Sequence, residues 1–247
     1  RARKVDNARG ETAGEAAERL KRLPLGWELK ELLAGIAVVP KYTCGAENHG
    51  ATKTATQALK RQIELAVRGQ YHQARAAEVF WTVVMKGERV DPEQALAVKA
   101  FQDIVRILKK RPQLWPVYEH NWHQRAMWVL APLARGPVQR LAGLMEAWGW
   151  QWEDPYRITL PGRRPMHLLQ DSTRWILDRV KDGMRKEILG RLRKRNGEPR
   201  REDMAGLEEL DWPAATALLK GRVKKGMKVH AALDRSLLAD IVCGSFR

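Results

Sequence analysis

Glu119-His120-Asn121-Trp122-His123 places two imidazoles and a carboxylate within one helical turn. Imidazoles three residues apart on a helix stand on adjacent faces, where a metal site or an acid–base pair could begin. Zinc requires three or four convergent ligands, and the HExxH spacing is absent. Solvated or core-edge histidines are therefore the expectation for His120 and His123. Cys44 and His49 stand five residues apart, like half of a zinc knuckle, but no further cysteine lies near them. The other cysteine, Cys243, is remote in sequence, so no disulfide framework is expected and a reducing compartment is. No GxxxxGK[ST] or GxGxxG phosphate loop and no GxSxG elbow occurs. Two-metal polymerases and nucleases use closely placed carboxylates, and this chain has no Asp-Asp pair. The reading is of no catalytic residues, no metal and no cofactor within the segment. An enzyme built around Glu119, His120 and His123 is the weakest alternative.

What the chain does carry is charge. Across 247 residues, 45 Lys and Arg face 29 Asp and Glu, for a net +16, which predicts attraction to polyanions, nucleic acid first. Residues 111–160 are nearly neutral, with five cations and four acids, whereas residues 161–247 hold twenty cations and twelve acids. The excess concentrates in loops and helix ends: Arg163 and Arg164, then Arg191, Arg193, Lys194, Arg195, Arg200 and Arg201, then Lys220, Arg222, Lys224, Lys225 and Lys228. With Arg174 and Arg185 on the intervening helix, these are the candidate phosphate contacts. Such contacts position a nucleic acid without reading its sequence. Ten tryptophans against three phenylalanines form a second peculiarity. Core filling with the indole N–H satisfied by a carbonyl is the favoured reading, and base stacking the rival.

The elements that must position these groups are helical. The stretch Met166 to Arg195 carries Leu169, Ile176, Val180, Met184, Ile188 and Leu192 at helical spacing, between Pro165 and Asn196-Gly197. Upstream, residues 1–14 read as a disordered basic leader, with Thr12 capping a helix that Pro24 stops. A helix from Trp27 through Leu29, Leu32, Leu33 and Ile36 is predicted to yield at Pro40. Thr54 or Thr56 should start another that Gly69 closes, and a further one should run from His72 to Lys86. Asp91-Pro92-Glu93 is a strong helix start, with Leu96, Ala100, Ile104 and Leu108 as its core stripe. A Trp-bearing helix is predicted over 114–130 and another over Pro137 to Trp148. Trp150 to Leu160 alternates around Asp154-Pro155 as a β-hairpin. Short helices are expected after residue 202. The predicted class is mainly α, a multi-helix bundle-like assembly with one hairpin near 150–160. Its expected parts are a thumb-like region over 15–136 and a linker-like region over 137–247. No apolar run approaches the roughly 20 residues that cross a bilayer, so no membrane partner is expected.

The order of these features resembles a known family. VVPKYTCGAENHG, a helix and then KGERVDPEQAL resemble non-long-terminal-repeat retroelement polyproteins just downstream of the reverse-transcriptase palm. Pro40, Tyr42, Gly45, Ala46, Glu47, Asp91 and Pro92 carry the match. GWQWEDPYRITLPG, the Arg-rich helix after it and the closing LLKGRVKKGMKVHAALDRSLLADIVCGSFR are similar too. The family's palm motif, an aromatic-Ala-Asp-Asp turn, is absent. The resemblance implies a thumb-and-linker region, cut from a longer polypeptide, that grips RNA or an RNA–DNA hybrid beside the palm of the same parent chain. That parent would be an RNA-directed DNA polymerase of a retrotransposon, nuclear or cytoplasmic. The alternative from a different class is an independent helical RNA-coating protein, nucleocapsid-like, with self-association and a continuous basic groove.

Overall fold

The computed structural model describes residues 2–45, 51–69, 80–125 and 136–194, and for residues 2–7, 83 and 191–194 the backbone alone. The chain is mainly α with a small antiparallel sheet. Helices α1 (Ala2–Arg22), α2 (Trp27–Leu33) and α3 (Val39–Thr43) are followed by α4 (Lys53–Arg68). After them come α5 (Gly87–Val90), α6 (Pro92–Lys110), α7 (Trp115–His123) and α8 (Pro137–Trp148). Strands β1 (Gln151–Asp154), β2 (Arg157–Thr159) and β3 (Met166–His167) precede the last described helix, α9 (Thr173–Lys194).

Residues 2–14, expected to be a leader without structure, are the first turns of α1. The reason is a stripe of small residues. A Cβ at Gly10 would stand 4.0 Å from Ala55, and one at Gly14 would stand 2.8 Å from the Gln62 amide. Ala13 and Ala17, on the same stripe, are buried, so α1 lies close against α4. Thr12 does not cap this helix; its hydroxyl donates to the Ala8 carbonyl at 2.9 Å. The α4 cap is Thr52 rather than Thr54 or Thr56, with its Oγ1 accepting from Ala55 N–H at 3.3 Å. Gly69 ends α4 at φ 76°, the left-handed conformation that its lack of a Cβ permits.

The second predicted helix is rotated. The chain does not yield at Pro40 but passes through a π turn, Ala34–Val38, into α3, with Pro40 in the first turn of α3. Glu31, Ala34, Val38, Val39 and Tyr42 face inward, while Leu29, Leu32 and Ile36 are 53%, 48% and 63% exposed. Glu31 holds this orientation by accepting the Lys86 N–H at 2.6 Å. The helix predicted over His72 to Lys86 lies outside the described residues except for a π turn, Phe80–Val84.

Asp91 caps α6 as its sequence predicts, accepting from Glu93 N–H at 2.9 Å, and Pro92 occupies the first turn. Leu96, Ala100, Ile104 and Leu108 are all buried. One core joins α1, the α2–α3 region, α4 and residues 80–90. A second joins Phe101, Ile104 and Leu108 with Met145 and Trp148 of α8, Trp150 and Ile158 of the sheet, and Ile176, Val180 and Met184 of α9. Each such side chain contributes about 1.5–3 kcal/mol of burial. Leu189, further along α9, belongs to the first core, so α9 spans both.

The predicted hairpin is present, with Gln151 opposite Thr159 and Trp152 opposite Ile158. A third strand extends it, Arg157 opposite His167 and Ile158 opposite Met166. The basic helix therefore starts at Thr173, not at Met166. The physical reason is that Met166 pairs in the sheet, and Ser172 then caps α9 by accepting from Trp175 N–H at 3.2 Å.

Candidate nucleic-acid interface

Helix α9 is set by its apolar stripe. Ile176, Val180 and Met184 are fully buried, which turns Arg174, Asp178, Lys181 and Arg185, at steps of four, three and four residues, onto another side of the cylinder. Gly183 lets this helix close on the sheet: a Cβ there would fall 2.3 Å from Leu160 Cδ2 and 2.7 Å from Trp150 Cζ2. The basic row thus rides on a helix seated in the core.

The candidate cations meet different fates. Arg163 is half-buried and ion-paired with Asp182, which ties the loop after β2 to the middle of α9. Arg164, its neighbour, is exposed. Arg174 is 93% exposed, with Nε 3.9 Å from the Asp178 carboxylate, and Lys181 lies 3.5 Å from the same carboxylate. Exposed pairs of this kind contribute about 0–1 kcal/mol and leave both partners available to a stronger charge. Arg185 is half-buried. The Arg163–Asp182 pair brings the loop that carries Arg164 to the middle of α9, the helix that carries Arg174, Lys181 and Arg185. Arg191, Arg193 and Lys194 follow on the last turn of α9. Arg195, Arg200, Arg201, Lys220, Arg222, Lys224, Lys225 and Lys228 lie outside the described residues, as do the helices expected after residue 202.

The tryptophans of the described residues are core or core-edge groups. Trp81, Trp122, Trp148, Trp150 and Trp152 are buried, and Trp27, Trp115 and Trp175 half-buried. Trp115 Nε1 donates to the Leu108 carbonyl at 2.8 Å and Trp152 Nε1 to the Pro155 carbonyl at 3.3 Å. The Arg179 guanidinium lies 5.1 Å over the Trp175 ring, and that of Arg125 lies 3.6 Å over Trp122. Burial lowers the Arg125 pKa while the nearby Tyr118 opposes the change.

The three groups weighed for catalysis disperse. Glu119 accepts the Tyr156 hydroxyl at 2.6 Å, His120 pairs with the Gln124 amide at 2.9 Å, and His123 rests edge-on against Trp122. Among the described residues no three His, Cys, Asp or Glu side chains are grouped to hold a metal. Cys44 is exposed and His49 lies outside the described residues. No described helix is long and apolar enough to cross a membrane.

Two polar clusters had little sequence signal. Lys60 reaches Asp91 at 3.0 Å and Glu93 at 2.9 Å. Burial opposes the ammonium, but the Asp91 and Glu93 carboxylates more than offset this and raise its pKa. Asp91 is raised by burial, with Lys60 pulling the other way. Its capping role was legible from Asp-Pro-Glu; its ion pair, 31 residues away in sequence, was not. The second cluster is the turn between β3 and α9. There His167 Nδ1 accepts from Leu169 and Gln170 N–H, both at 3.3 Å, and Asp171 accepts from His167 N–H at 2.7 Å.

No protein-family model, curated protein or solved structure matches this chain.

Proposed function

We propose that this chain is a non-catalytic nucleic-acid-binding segment that clamps a polyanion through phosphate contacts. The observation that supports this best is the row Arg174, Lys181 and Arg185 on α9, a helix whose opposite stripe is fully buried, with Arg164 exposed on the loop that Arg163 ties to that helix. A helix seated in the core fixes the spacing of the cations along the row, so binding orders their side chains but not the backbone that carries them. A net charge of +16 adds long-range attraction. The sequence resemblance extends the proposal: the polyanion would be the RNA or template–primer of a retroelement, held beside the palm of a reverse transcriptase in the same parent chain. The test is fluorescence anisotropy with duplex RNA, an RNA–DNA hybrid and single strands over a salt series. Affinity should fall with a log–log slope of about −0.7 to −0.9 per phosphate neutralised. Reversing Arg164, Arg174 and Arg185 together should flatten that slope by about 2 or more. An unchanged slope, or no binding near about 100 mM salt, where even non-specific electrostatic binding persists, would make the charge a solvated face.

A second reading, an RNA-coating protein that self-associates, is favoured by the exposed apolar stripe of Leu29, Leu32 and Ile36. Sedimentation with and without RNA separates the two: the clamp stays monomeric, and the coat assembles through that stripe.

A further inference from the structure

Of the eight described tryptophans, Trp175 is the one carried by the basic helix. Five of the others are buried, and half-buried Trp115 gives its indole N–H to the Leu108 carbonyl. Trp175 is half-buried, packed on one side against the second core. Trp175, Arg179, Asp182 and Lys186, at steps of four, three and four residues, form a ridge of α9. That ridge lies one position round the helix from Arg174, Asp178, Lys181 and Arg185. On it the Arg179 guanidinium lies 5.1 Å over the Trp175 ring, and Lys186 is exposed. Asp182 holds Arg163, and with it the loop that carries exposed Arg164. The indole therefore shares its ridge with cations and has the basic row beside it.

We propose that Trp175 is a stacking platform for an unpaired base, so that the basic row takes single-stranded nucleic acid in preference to duplex. This rests on the clamp reading given above. In a duplex both faces of every base are covered by its neighbours, and cations alone suffice to hold the two backbones. An aromatic ring set among cations adds affinity only where bases are free to leave the stack. The outer side of the Trp175 ring already takes a planar group, the Arg179 guanidinium, and a base is a larger planar group of the same kind. When the base takes the ring, Arg179 turns to the phosphate beside it. Every base offers a π face, so the platform selects strand state and not sequence.

The test is anisotropy on the full chain with a single-stranded RNA and a duplex RNA of equal length, over a salt series. Trp175→Leu keeps an apolar side chain on the core but has no π face. It should bind the single strand about 5- to 150-fold more weakly. Its salt slope should be unchanged, because no phosphate contact is lost. Trp175→Phe should recover most of the loss, and duplex affinity should stay the same in both variants. Parent-like binding of the single strand by Trp175→Leu, or an equal loss on single strand and duplex, overturns the proposal. If Trp175→Leu is silent while reversing Arg164, Arg174 and Arg185 still flattens the slope, the clamp stands without this platform. If neither change matters, the clamp falls with it. Should Trp175→Leu not fold, ultraviolet crosslinking of the unsubstituted chain to a single strand containing 5-bromouridine decides. A crosslink at Trp175, in the tryptic peptide that ends at Arg179, supports the platform, and crosslinks confined to other peptides refute it.

Discussion

Gly183→Ala isolates the contact that seats α9. A helix-interior Gly→Ala change ordinarily stabilises by about 1 kcal/mol through backbone entropy. At this position the new methyl meets Leu160 Cδ2 at 2.3 Å and Trp150 at 2.7 and 3.1 Å. Carbon atoms pack comfortably at about 3.5–4.0 Å, so the neighbours must retreat by more than an ångström. Neither has room. Leu160 and Trp150 are 3% and 4% exposed, and the Trp150 ring is itself packed 4.8 Å from Trp148 and 6.0 Å from Phe101. Overpacking of this kind costs about 1–3 kcal/mol, and the depth of the shortfall puts it at the upper end. Subtracting the propensity gain leaves a net loss of about 1–2 kcal/mol, or a Tm lower by roughly 2–8 °C for a chain of this size. Gly143→Ala is the matched control: it lies within α8, exposed, and its Cβ would meet nothing within 4 Å. It should raise stability by roughly 0.5–1 kcal/mol. Thermal and urea unfolding followed by circular dichroism reads both. If the two substitutions move stability in the same direction, the close seating of α9 on the sheet is wrong.

Asp91→Ala removes the α6 cap and one of the two carboxylates on Lys60, leaving Glu93 at 2.9 Å, so urea unfolding should show a loss of about 2–3 kcal/mol. Asp91→Asn keeps the capping oxygen, removes only the charge and should cost clearly less; no loss in that variant would dismiss the ion pair, and a loss equal to that of Asp91→Ala would dismiss the cap. Leu29→Ser and Ile36→Ser should each change stability by about 0.5 kcal/mol or less, and a loss beyond about 2 kcal/mol would place them in a core after all. Burial, then the Glu119 hydrogen bond, raise Tyr156 to about 12, and burial also raises Tyr118. Because the folded pKa values exceed the unfolded ones, this stability is complete below about pH 10. It is lost as pH rises through 12. Tyrosinate absorbance in an alkaline titration checks this, and ionisation of all four tyrosines near pH 10 with the fold intact would refute it. Arg163→Glu, set against Asp182, should lower stability, while Arg164→Glu should leave unfolding unchanged and weaken polyanion binding. The reverse pattern would exchange the roles assigned to these neighbours.

Where the local signal and the packing agreed, the elements were legible. Asp91-Pro92-Glu93 caps α6 because both side chain and ring suit a first turn in any context. Gly136 and Gly149 bracket α8 for the same local reason. Apolar spacing alone was less reliable. Leu29, Leu32 and Ile36 satisfy helical periodicity as well as Ala34, Val38 and Tyr42 do, and which set turns inward is decided by partners such as Lys86, whose N–H Glu31 accepts. Met166-His167 is too short to alternate visibly and becomes a strand because β2 offers an open edge. In α1, Gly10 and Gly14 read as weak helix formers, yet their small size, with that of Ala13 and Ala17, is what admits α4.

The candidate interface shows the same division between local and long-range information. Arg163 and Arg164 are chemically identical and adjacent, so no pattern in the sequence separates them. Asp182 does, from nineteen residues away, by engaging one and leaving the other to solvent. The same holds along α9, where Asp178 lies between Arg174 and Lys181 and offsets charge that a simple count assigns to a partner. A net charge therefore bounds what a chain attracts but not where. The place is fixed by which cations the fold has already used, and on α9 that selection follows from the buried stripe Ile176, Val180 and Met184, which sets the rotation of every other side chain on the helix.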